Sequence, residues 1–187
     1  YECYEVTGVV EKEVAKQLGL NEDVKVVGGG GDQAVGAVGT GTVSDGIVSV
    51  SLGTSGVVFA ASDKYEVDQK NRLHSFNHAN GAFTQMGVML SAAYCLQWLA
   101  EEVNKDIDSD KVYQILTKEA SKVPAGSEGL IFLPYLTGER TPHADVNATG
   151  VFIGLKPIHT RGHMTRAILE GVSYGLRDSL EIVKDMQ

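Results

Sequence analysis

Cysteine is scarce in this chain: only Cys3 and Cys95 occur among its 187 residues, and their separation matches neither a metal-binding nor a redox motif. This scarcity excludes a disulfide framework and is typical of a reduced, cytoplasmic protein. Runs of Lys and Arg are also lacking and the net charge is −8, which argues against nucleic-acid or anionic-membrane partners. The apolar stretches are too short to span a membrane, and no signal-peptide pattern opens the chain, so no membrane partner is expected.

Histidines with the spacing of metal ligands are nearly absent. Within a predicted helix only His159 and His163 have a suitable separation, and Gly162 interrupts that pair, so no metal-binding residue is predicted. With 43% apolar and 21% charged residues, the composition is that of an ordinary globular protein. The chain begins without Met and ends within an amphipathic helical pattern over residues 164–183, so we expect an internal segment of a longer protein.

The most informative segment is the run of four glycines at 28–31, which Asp32 follows directly. An apolar run at 24–27 leads in, and the small residues at 34–39 lead out, an order that predicts a buried strand, a tight turn and a helix. Asp32 would then lie at the carboxyl end of a strand, where open α/β sheets place their ligands. An aspartate here is either a general base or a helix N-cap. The four glycines favour the base, because a cap does not need that much backbone clearance.

A second candidate site lies in a predicted hairpin. The alternating segment 47–52 and the apolar segment 57–61 predict two antiparallel strands. Gly53, Thr54 and Ser55 would form the tip, where a glycine and two hydroxyls offer N–H and O–H donors to phosphate oxygens. The same residues are common in ordinary β-turns, which leaves both interpretations open.

A third candidate is the polar, turn-like segment 137–142, which contains Glu139 and Arg140. The guanidinium of Arg140 can clamp a phosphate or a carboxylate, with Glu139 as its pairing partner. The alternative is a surface loop with a Glu–Arg contact. Pro142 stiffens this loop, which favours a positioned side chain.

The remaining patterns predict a second hairpin around Asn80 and Gly81, helices over 7–18, 87–103 and 164–183, and a short buried strand over 130–133. Hairpins followed by helices and a further strand indicate an α/β protein with a mixed sheet flanked by helices.

Taken together, the motifs resemble the FGGY family of carbohydrate kinases and, within it, the members that phosphorylate D-xylulose. Five segments in register carry the resemblance over nearly the whole chain: 29–39, 51–56, 74–78, 133–143 and 150–155. The Glu-Arg-Thr-Pro-His sequence at 139–143 is more similar to the D-xylulose members than to the glycerol members.

The resemblance implies an actin-like ATPase, or ribonuclease H-like, fold of which this chain would be a part. Residues 1–45 would end the N-terminal FGGY domain and carry the catalytic aspartate turn. Residues 46–187 would form the first part of the C-terminal FGGY domain. The family's first phosphate loop would precede Tyr1, and its adenosine loop would follow Gln187.

The resemblance also implies an activity, the ATP-dependent phosphorylation of D-xylulose to D-xylulose 5-phosphate. Asp32 would be the catalytic base, and Asp32 and Gln33 would bind the sugar, although D-xylulose members often have Asn at the second position. Gly53, Thr54 and Ser55 would bind the ATP phosphates. The implied cofactors are ATP and Mg²⁺; the implied partners are a small-molecule sugar and ATP, with a homodimer left open. Glu139 and Arg140 are then candidate cleft residues.

Three alternatives remain at this stage. The first is an FGGY kinase for glycerol, ribulose or another polyol. The second is a nicotinamide-dependent oxidoreductase, since residues 29–34 fit the pattern G-x-G-x-x-A; the acidic residue expected at the end of the next strand is absent. The third is that the isolated segment folds but is inactive.

Overall fold

A computed structural model describes residues 1–186 of the chain. In chain order its elements are β1 (Val6–Val9), α1 (Lys12–Leu18), β2 (Lys25–Val27), α2 (Asp32–Gly39), β3 (Val48–Leu52), β4 (Gly56–Ser62), β5 (His74–Asn77), β6 (Phe83–Met89), α3 (Ala93–Trp98), α4 (Val112–Ala120), β7 (Ile131–Leu133), β8 (Val151–Ile153) and α5 (Arg161–Met186). A π-helical turn over Leu99–Val103 extends α3, and a short 3₁₀ turn over Ser127–Gly129 precedes β7.

The central unit is a four-stranded sheet of order β3-β4-β6-β5, antiparallel at every pairing. All residues of β4 are buried because a helix packs on each face of the sheet. Successive side chains of a strand point to opposite faces. Val57 and Phe59 therefore cluster with Ala37 of α2 on one face. Val58 and Ala60 pack under α5 on the other.

The largest cluster of buried side chains lies where α5 crosses the other elements. Leu116 of α4, Phe132 of β7 and Ile168 of α5 are all at most 2% exposed there. A Cβ at Gly171 would overlap the carbonyl oxygen of Phe132, so glycine is what lets α5 approach β7 this closely. This packing confirms the predicted amphipathic C-terminal helix, which spans 26 residues.

The N-terminal segment forms a separate two-stranded sheet in which β1 pairs antiparallel with β2. The prediction of a buried strand at 24–27 is wrong: Val26 and Val27 are 43% and 49% exposed. Their sheet neighbour β1 is itself largely exposed and does not cover them. The predicted helix over 7–18 is also too long, because residues 7–9 belong to β1.

Hydrogen bonds from the turn between β5 and β6 hold the segment that follows α2. Nε2 of the buried His78 lies 2.8 Å from the carbonyl oxygen of Thr42. The side-chain amide of Asn80 donates to the carbonyl oxygen of Val43 at 2.9 Å. The predicted hairpin around Asn80 is thus confirmed, and its turn fastens the chain between α2 and β3.

The predicted helix over 87–103 is wrong in its first part, because β6 continues to Met89. β6 pairs with β4 up to its last residue, with Val57 opposite Val88 and Gly56 opposite Met89. Helical structure begins only at Ala93. A continuous apolar run does not reveal where a buried strand gives way to a helix, and here the boundary is set by pairing with β4.

The loop before β5 is fixed by an ion pair. Arg72 donates from its backbone amide and from its guanidinium to the carboxylate of Asp68, at 2.7, 2.9 and 2.8 Å. Asp68 is 5% exposed. The carbonyl oxygen of Arg72 in turn accepts a 2.8 Å hydrogen bond from the hydroxyl of Thr141. The pair therefore supports the distant segment that carries Thr141.

We expect Asp68→Asn to lower the free energy of unfolding of the complete gene product at pH 7 by about 1–3 kcal/mol, the range for hydrogen bonds to charged groups. The Arg72 guanidinium lowers the pKa of the Asp68 carboxyl from 3.8 to about 2. A lowered pKa gives stability that is complete above pH 3.8 and is lost as the pH falls toward 2. Urea unfolding at pH 7 and pH 3 should show the gap between wild type and variant narrowing at pH 3; a gap that widens would contradict the assignment.

Candidate functional site

The glycine run turns the chain from β2 into α2 and brings Asp32 to the first turn of that helix. Gly29 has a φ of +73°, a conformation that favours glycine. A Cβ at Gly28 would lie 2.5 Å from the carbonyl oxygen of Glu2, so this position also requires a glycine. The predicted strand, tight turn, acid and helix are confirmed in order. The N-cap position is taken by Gly31 rather than by Asp32.

The carboxylate of Asp32 is exposed and accepts one short-range hydrogen bond, from the backbone amide of Gln33 at 2.8 Å. The Gln33 side chain is half-buried beside it. Both residues line two adjoining cavities. Asp32 therefore has free acceptor capacity at the point where α2 meets the four-stranded sheet.

The first cavity has a volume of about 440 Å³, within the range of small-ligand sites. Its floor is the α2-facing side of the sheet and is mainly apolar and aromatic: Phe59, Phe76 and Met86. Its polar groups come from α2 and from the β5–β6 hairpin: Asp32, Gln33, Asn77 and Thr84. An apolar floor with a few converging polar groups is typical of a pocket that binds a small molecule.

Thr84 is the unexpected member of this set. Its residue is 2% exposed, and its hydroxyl oxygen has no hydrogen-bond partner among the described residues. Sequence reasoning did not identify Phe76, Asn77 or Thr84 as site residues. The signal was present in the alternation of the hairpin strands, since Phe76 pairs with Thr84 and both share a face with Phe59. The strand register shows which residues share this face, and the packing of Ala37 shows that the face lies under α2.

The second cavity connects Asp32 to β3. It has a volume of about 300 Å³ and lies between α2 and the strand residues Ser49, Val50 and Ser51. Ser51 precedes Gly53 by two residues, which is about 7 Å along an extended strand. The hairpin tip therefore begins close to the end of the cleft that Asp32 lines.

Residues 53–55, named the tip loop below, are exposed and form the predicted turn between β3 and β4. The carbonyl oxygens of Gly53 and Thr54 accept hydrogen bonds from the backbone amides of Ala93 and Ala92, at 3.0 and 2.8 Å. The hydroxyl of Ser55 donates to the carbonyl oxygen of Leu90 at 3.1 Å. The start of α3 thus fixes the tip loop by its carbonyl groups.

Three hydrogen-bond donors of the tip loop are left free by this arrangement. Within residues 1–186, the backbone amides of Thr54 and Ser55 and the hydroxyl of Thr54 have no hydrogen-bond partner. Amides and hydroxyls presented together on a tight turn form a concave donor surface that suits phosphate oxygens.

Residues 137–141, named the strap below, cross the end of β6. The backbone amide of Thr141 donates to the carbonyl oxygen of Val88 and its hydroxyl accepts from the amide of Val88, both at 3.0 Å. Glu139 is 2% exposed and does not line either cavity around Asp32. Its Oε1 accepts hydrogen bonds from the backbone amides of Leu90 and Arg140, at 2.9 and 2.7 Å.

The expected side-chain pair between Glu139 and Arg140 is not formed, because the carboxylate is turned inward to backbone amides. Burial raises the pKa of the Glu139 carboxyl. Arg140 is exposed, and its guanidinium has no ion-pair partner among the described residues. It lies near His74, whose pKa is lowered by burial and by the Arg140 charge. Arg140 therefore keeps a free donor fork at the edge of the sheet.

The cysteine and histidine residues considered in the sequence analysis lie outside the cleft at Asp32. Cys95 is fully buried, and burial raises the pKa of its thiol to about 12. His163 contacts Glu128 at 3.1 Å at the start of α5. Across residues 1–186, no group of three His, Cys, Asp or Glu side chains is placed to hold a metal ion. No helix of the described part is both long enough and apolar enough to cross a membrane.

The fold is that of a class of protein, the sugar kinases with an actin-like ATPase fold, as its structural neighbours show. The crystal structure of a xylulose kinase from Rhodospirillum rubrum aligns with all of this chain, with a TM-score of 0.87 and 33% identity. A gluconate kinase from Lactobacillus acidophilus aligns with a TM-score of 0.89 and 28% identity. These neighbours confirm the predicted fold class.

The sequence identifies the family. Residues 48–187 match the C-terminal domain of the FGGY family of carbohydrate kinases, and the chain belongs to this family. The xylulose kinase of Escherichia coli is 44% identical over 184 residues, which is 98% of this chain. The chain spans 37% of the length of that relative, 37% of the Rhodospirillum rubrum protein and 38% of the gluconate kinase. The predicted resemblance is thus confirmed, and the match of 98% of this chain to a carbohydrate kinase argues against the oxidoreductase interpretation of residues 29–34.

Proposed function

We propose that this chain is part of a kinase that transfers the γ-phosphoryl group of ATP to D-xylulose, giving D-xylulose 5-phosphate. The observation that carries the proposal is the cleft of about 440 Å³ at Asp32, with its apolar floor and converging polar groups. The 44% identity to a xylulose kinase supports the choice of sugar. We also propose that the kinase acts in the cytoplasm.

Asp32 is proposed as the general base. Its exposed carboxylate has acceptor capacity left after the bond to the Gln33 amide, and it lies in the wall of the cleft. It would accept the proton of the sugar 5-hydroxyl while that oxygen attacks the γ-phosphorus. Gln33, Asn77 and Thr84 offer hydrogen-bonding groups to the other hydroxyls, and Phe76 offers a ring face to the carbon chain.

The tip loop is proposed to hold the ATP phosphates. The free amides of Thr54 and Ser55 and the free hydroxyl of Thr54 match the acceptor oxygens of a phosphate chain. Mg²⁺, when bound, neutralises charge on the phosphates; it usually keeps several waters and needs only one or two carboxylates besides the phosphates. An acidic cluster in residues 1–186 is therefore not required for that ion.

The domain division is also a proposal. Residues 1–45 would belong to the N-terminal FGGY domain and residues 46–187 to the C-terminal one, so Asp32 and the tip loop would face each other from two domains. Because the chain spans about a third of the length of its relatives, activity is proposed for the complete gene product, and the isolated segment is expected to be inactive.

The formation of a homodimer remains a prediction, which light scattering on the complete gene product would test.

We expect the complete gene product to consume ATP with D-xylulose in preference to D-ribulose, gluconate and glycerol. A coupled assay of ADP formation with each sugar, at matched concentrations, measures kcat/KM for the four candidates. Preference for another sugar would reject D-xylulose as the substrate but would leave the proposed kinase activity standing. Absence of ATP consumption with every sugar would reject the proposed function itself.

A further inference from the structure

The junction between β6 and α3, residues 90–92, is held from two sides. On one side the tip loop contacts it: the hydroxyl of Ser55 donates to the carbonyl oxygen of Leu90, and the amide of Ala92 donates to the carbonyl oxygen of Thr54. On the other side the strap contacts it through the carboxylate of Glu139, which accepts from the amide of Leu90 at 2.9 Å. The backbone N–H and C=O of Leu90 thus join two loops that are far apart in sequence.

A buried carboxylate such as that of Glu139 is an unusual group to contact the backbone at Leu90. Glu139 is 2% exposed, it forms no ion pair among the described residues, and its second oxygen, Oε2, has no hydrogen-bond partner there. Burying a carboxylate without a cation is unfavourable unless backbone donors compensate for the lost water. The Leu90 and Arg140 amides are those donors. The carboxylate therefore lies where it fixes the backbone at Leu90.

We propose that Glu139 is a positioning residue for the ATP-phosphate site: through the Leu90 peptide it holds Ser55 and hence the tip loop. The inference rests on the proposed function, because it assigns the tip loop to phosphates. Glu139 itself touches neither cavity around Asp32. Its effect is transmitted along a chain of two hydrogen bonds, of 2.9 Å from Leu90 to Glu139 and 3.1 Å from Ser55 to Leu90.

A second bond crosses the same junction and supports this interpretation. The hydroxyls of Ser91 and Thr137 lie 2.8 Å apart, and Ser91 is fully buried. The strap thus holds residues 90–92 at two successive positions. The tip loop is fastened to the other side of the same residues.

Thr141 provides a matched control, because it lies on the same strap and is 1% exposed. Its hydroxyl accepts from the amide of Val88, two residues before Leu90, and has no bond to residues 90–92 or to the tip loop. Thr141→Val therefore leaves the amide of Val88 without its side-chain acceptor, just as Glu139→Ala leaves the amide of Leu90 without one. Only Glu139→Ala interrupts the hydrogen bonds that connect the strap to Ser55.

The test uses the complete gene product and two readouts. Calorimetry with Mg²⁺ and a non-hydrolysable ATP analogue measures nucleotide affinity, and hydrogen-exchange mass spectrometry follows peptides that cover residues 88–95. We expect Glu139→Ala to weaken the analogue about tenfold, with the D-xylulose KM unchanged, and to speed exchange at Ala92 and Ala93, whose acceptors are tip-loop carbonyls. Glu139→Gln, which keeps an acceptor oxygen, should stay close to wild type.

Thr141→Val should change neither analogue affinity nor exchange at Ala92 and Ala93. The double variant Glu139→Ala with Ser55→Ala should have the same affinity for the analogue as whichever single variant binds it less tightly. Both substitutions break the same series of hydrogen bonds, so their effects should not add. Equal effects of Glu139→Ala and Thr141→Val, or additive losses in the double variant, would overturn the inference. If Glu139→Ala does not fold, faster exchange at Ala92 and Ala93 in Ser55→Ala supports the chain and unchanged exchange overturns it. The exchange readout needs no activity, so a wild type inactive on sugars rejects the proposed function alone.

Discussion

Replacing Asp32 by Asn is expected to lower kcat for D-xylulose phosphorylation by the complete gene product about 10²- to 10⁴-fold, the usual contribution of general-base catalysis. Asparagine keeps the size of the side chain and its acceptor oxygen toward the Gln33 amide, but it cannot accept the proton of the sugar hydroxyl. The turn and α2 should therefore be unchanged. Steady-state kinetics measures kcat, and calorimetry with the ATP analogue should give wild-type affinity.

The control for Asp32→Asn is Asp63→Asn. Asp63 is also exposed, its carboxylate has no hydrogen-bond partner within the described residues, and it lies after β4, away from both cavities. Removing its charge should leave kcat close to that of wild type, because Asp63 lines neither cavity. If kcat of Asp32→Asn equals that of Asp63→Asn, the assignment of Asp32 as the general base is rejected.

The turn at Asp32 could be predicted because its signals are local. A run of glycines before an acid requires no knowledge of distant residues, and the structure has the turn where the sequence indicated it. The cleft floor could not be predicted in the same way. Phe76 and Thr84 face Asp32 only because the β5–β6 register and the packing of α2 on the sheet place them there. Neither depends on a short motif.

Glu139 shows a different limit of sequence reasoning. Its neighbour in the chain, Arg140, suggested an ion pair, because adjacent opposite charges on a loop commonly meet. The structure instead turns the carboxylate to the amide of Leu90, 49 residues earlier. The strap pairs with the end of β6 through Thr141, and that pairing buries one side chain and exposes the next. Tertiary contact therefore decided the roles of the two charges.

The exposed β2 marks a third limit. An apolar run of strand-forming residues indicates a buried strand when some other part of the protein covers it. Within residues 1–186 its sheet neighbour is β1, so Val26 and Val27 remain exposed. Periodicity correctly gave the element type, while burial depends on what packs against the element.

Thr54→Val is expected to lower kcat/KM for ATP in the complete gene product about 10- to 100-fold. The Thr54 hydroxyl is exposed and has no partner in the described chain, so its removal should not disturb the tip loop. A hydrogen bond to a charged group contributes about 1.5–3 kcal/mol, and each 1.4 kcal/mol is about tenfold. The tip-loop amides remain in the variant, so binding should be weakened rather than abolished. The KM for D-xylulose should not change, because Thr54 does not line the cavity at Asp32.

The matched control is Thr117→Val on α4, where the hydroxyl donates to the carbonyl oxygen of Tyr113 in its own helix. The chemical change is the same in both variants, but only Thr54 lies in the tip loop. Initial rates at varied ATP and saturating D-xylulose give kcat/KM for each protein. A loss confined to Thr54→Val supports phosphate binding at the tip loop. Equal kinetics in the two variants would mean that the Thr54 hydroxyl is directed to solvent in the working enzyme, and the phosphate role would then rest on the backbone amides alone, since they are the donors that valine leaves in place.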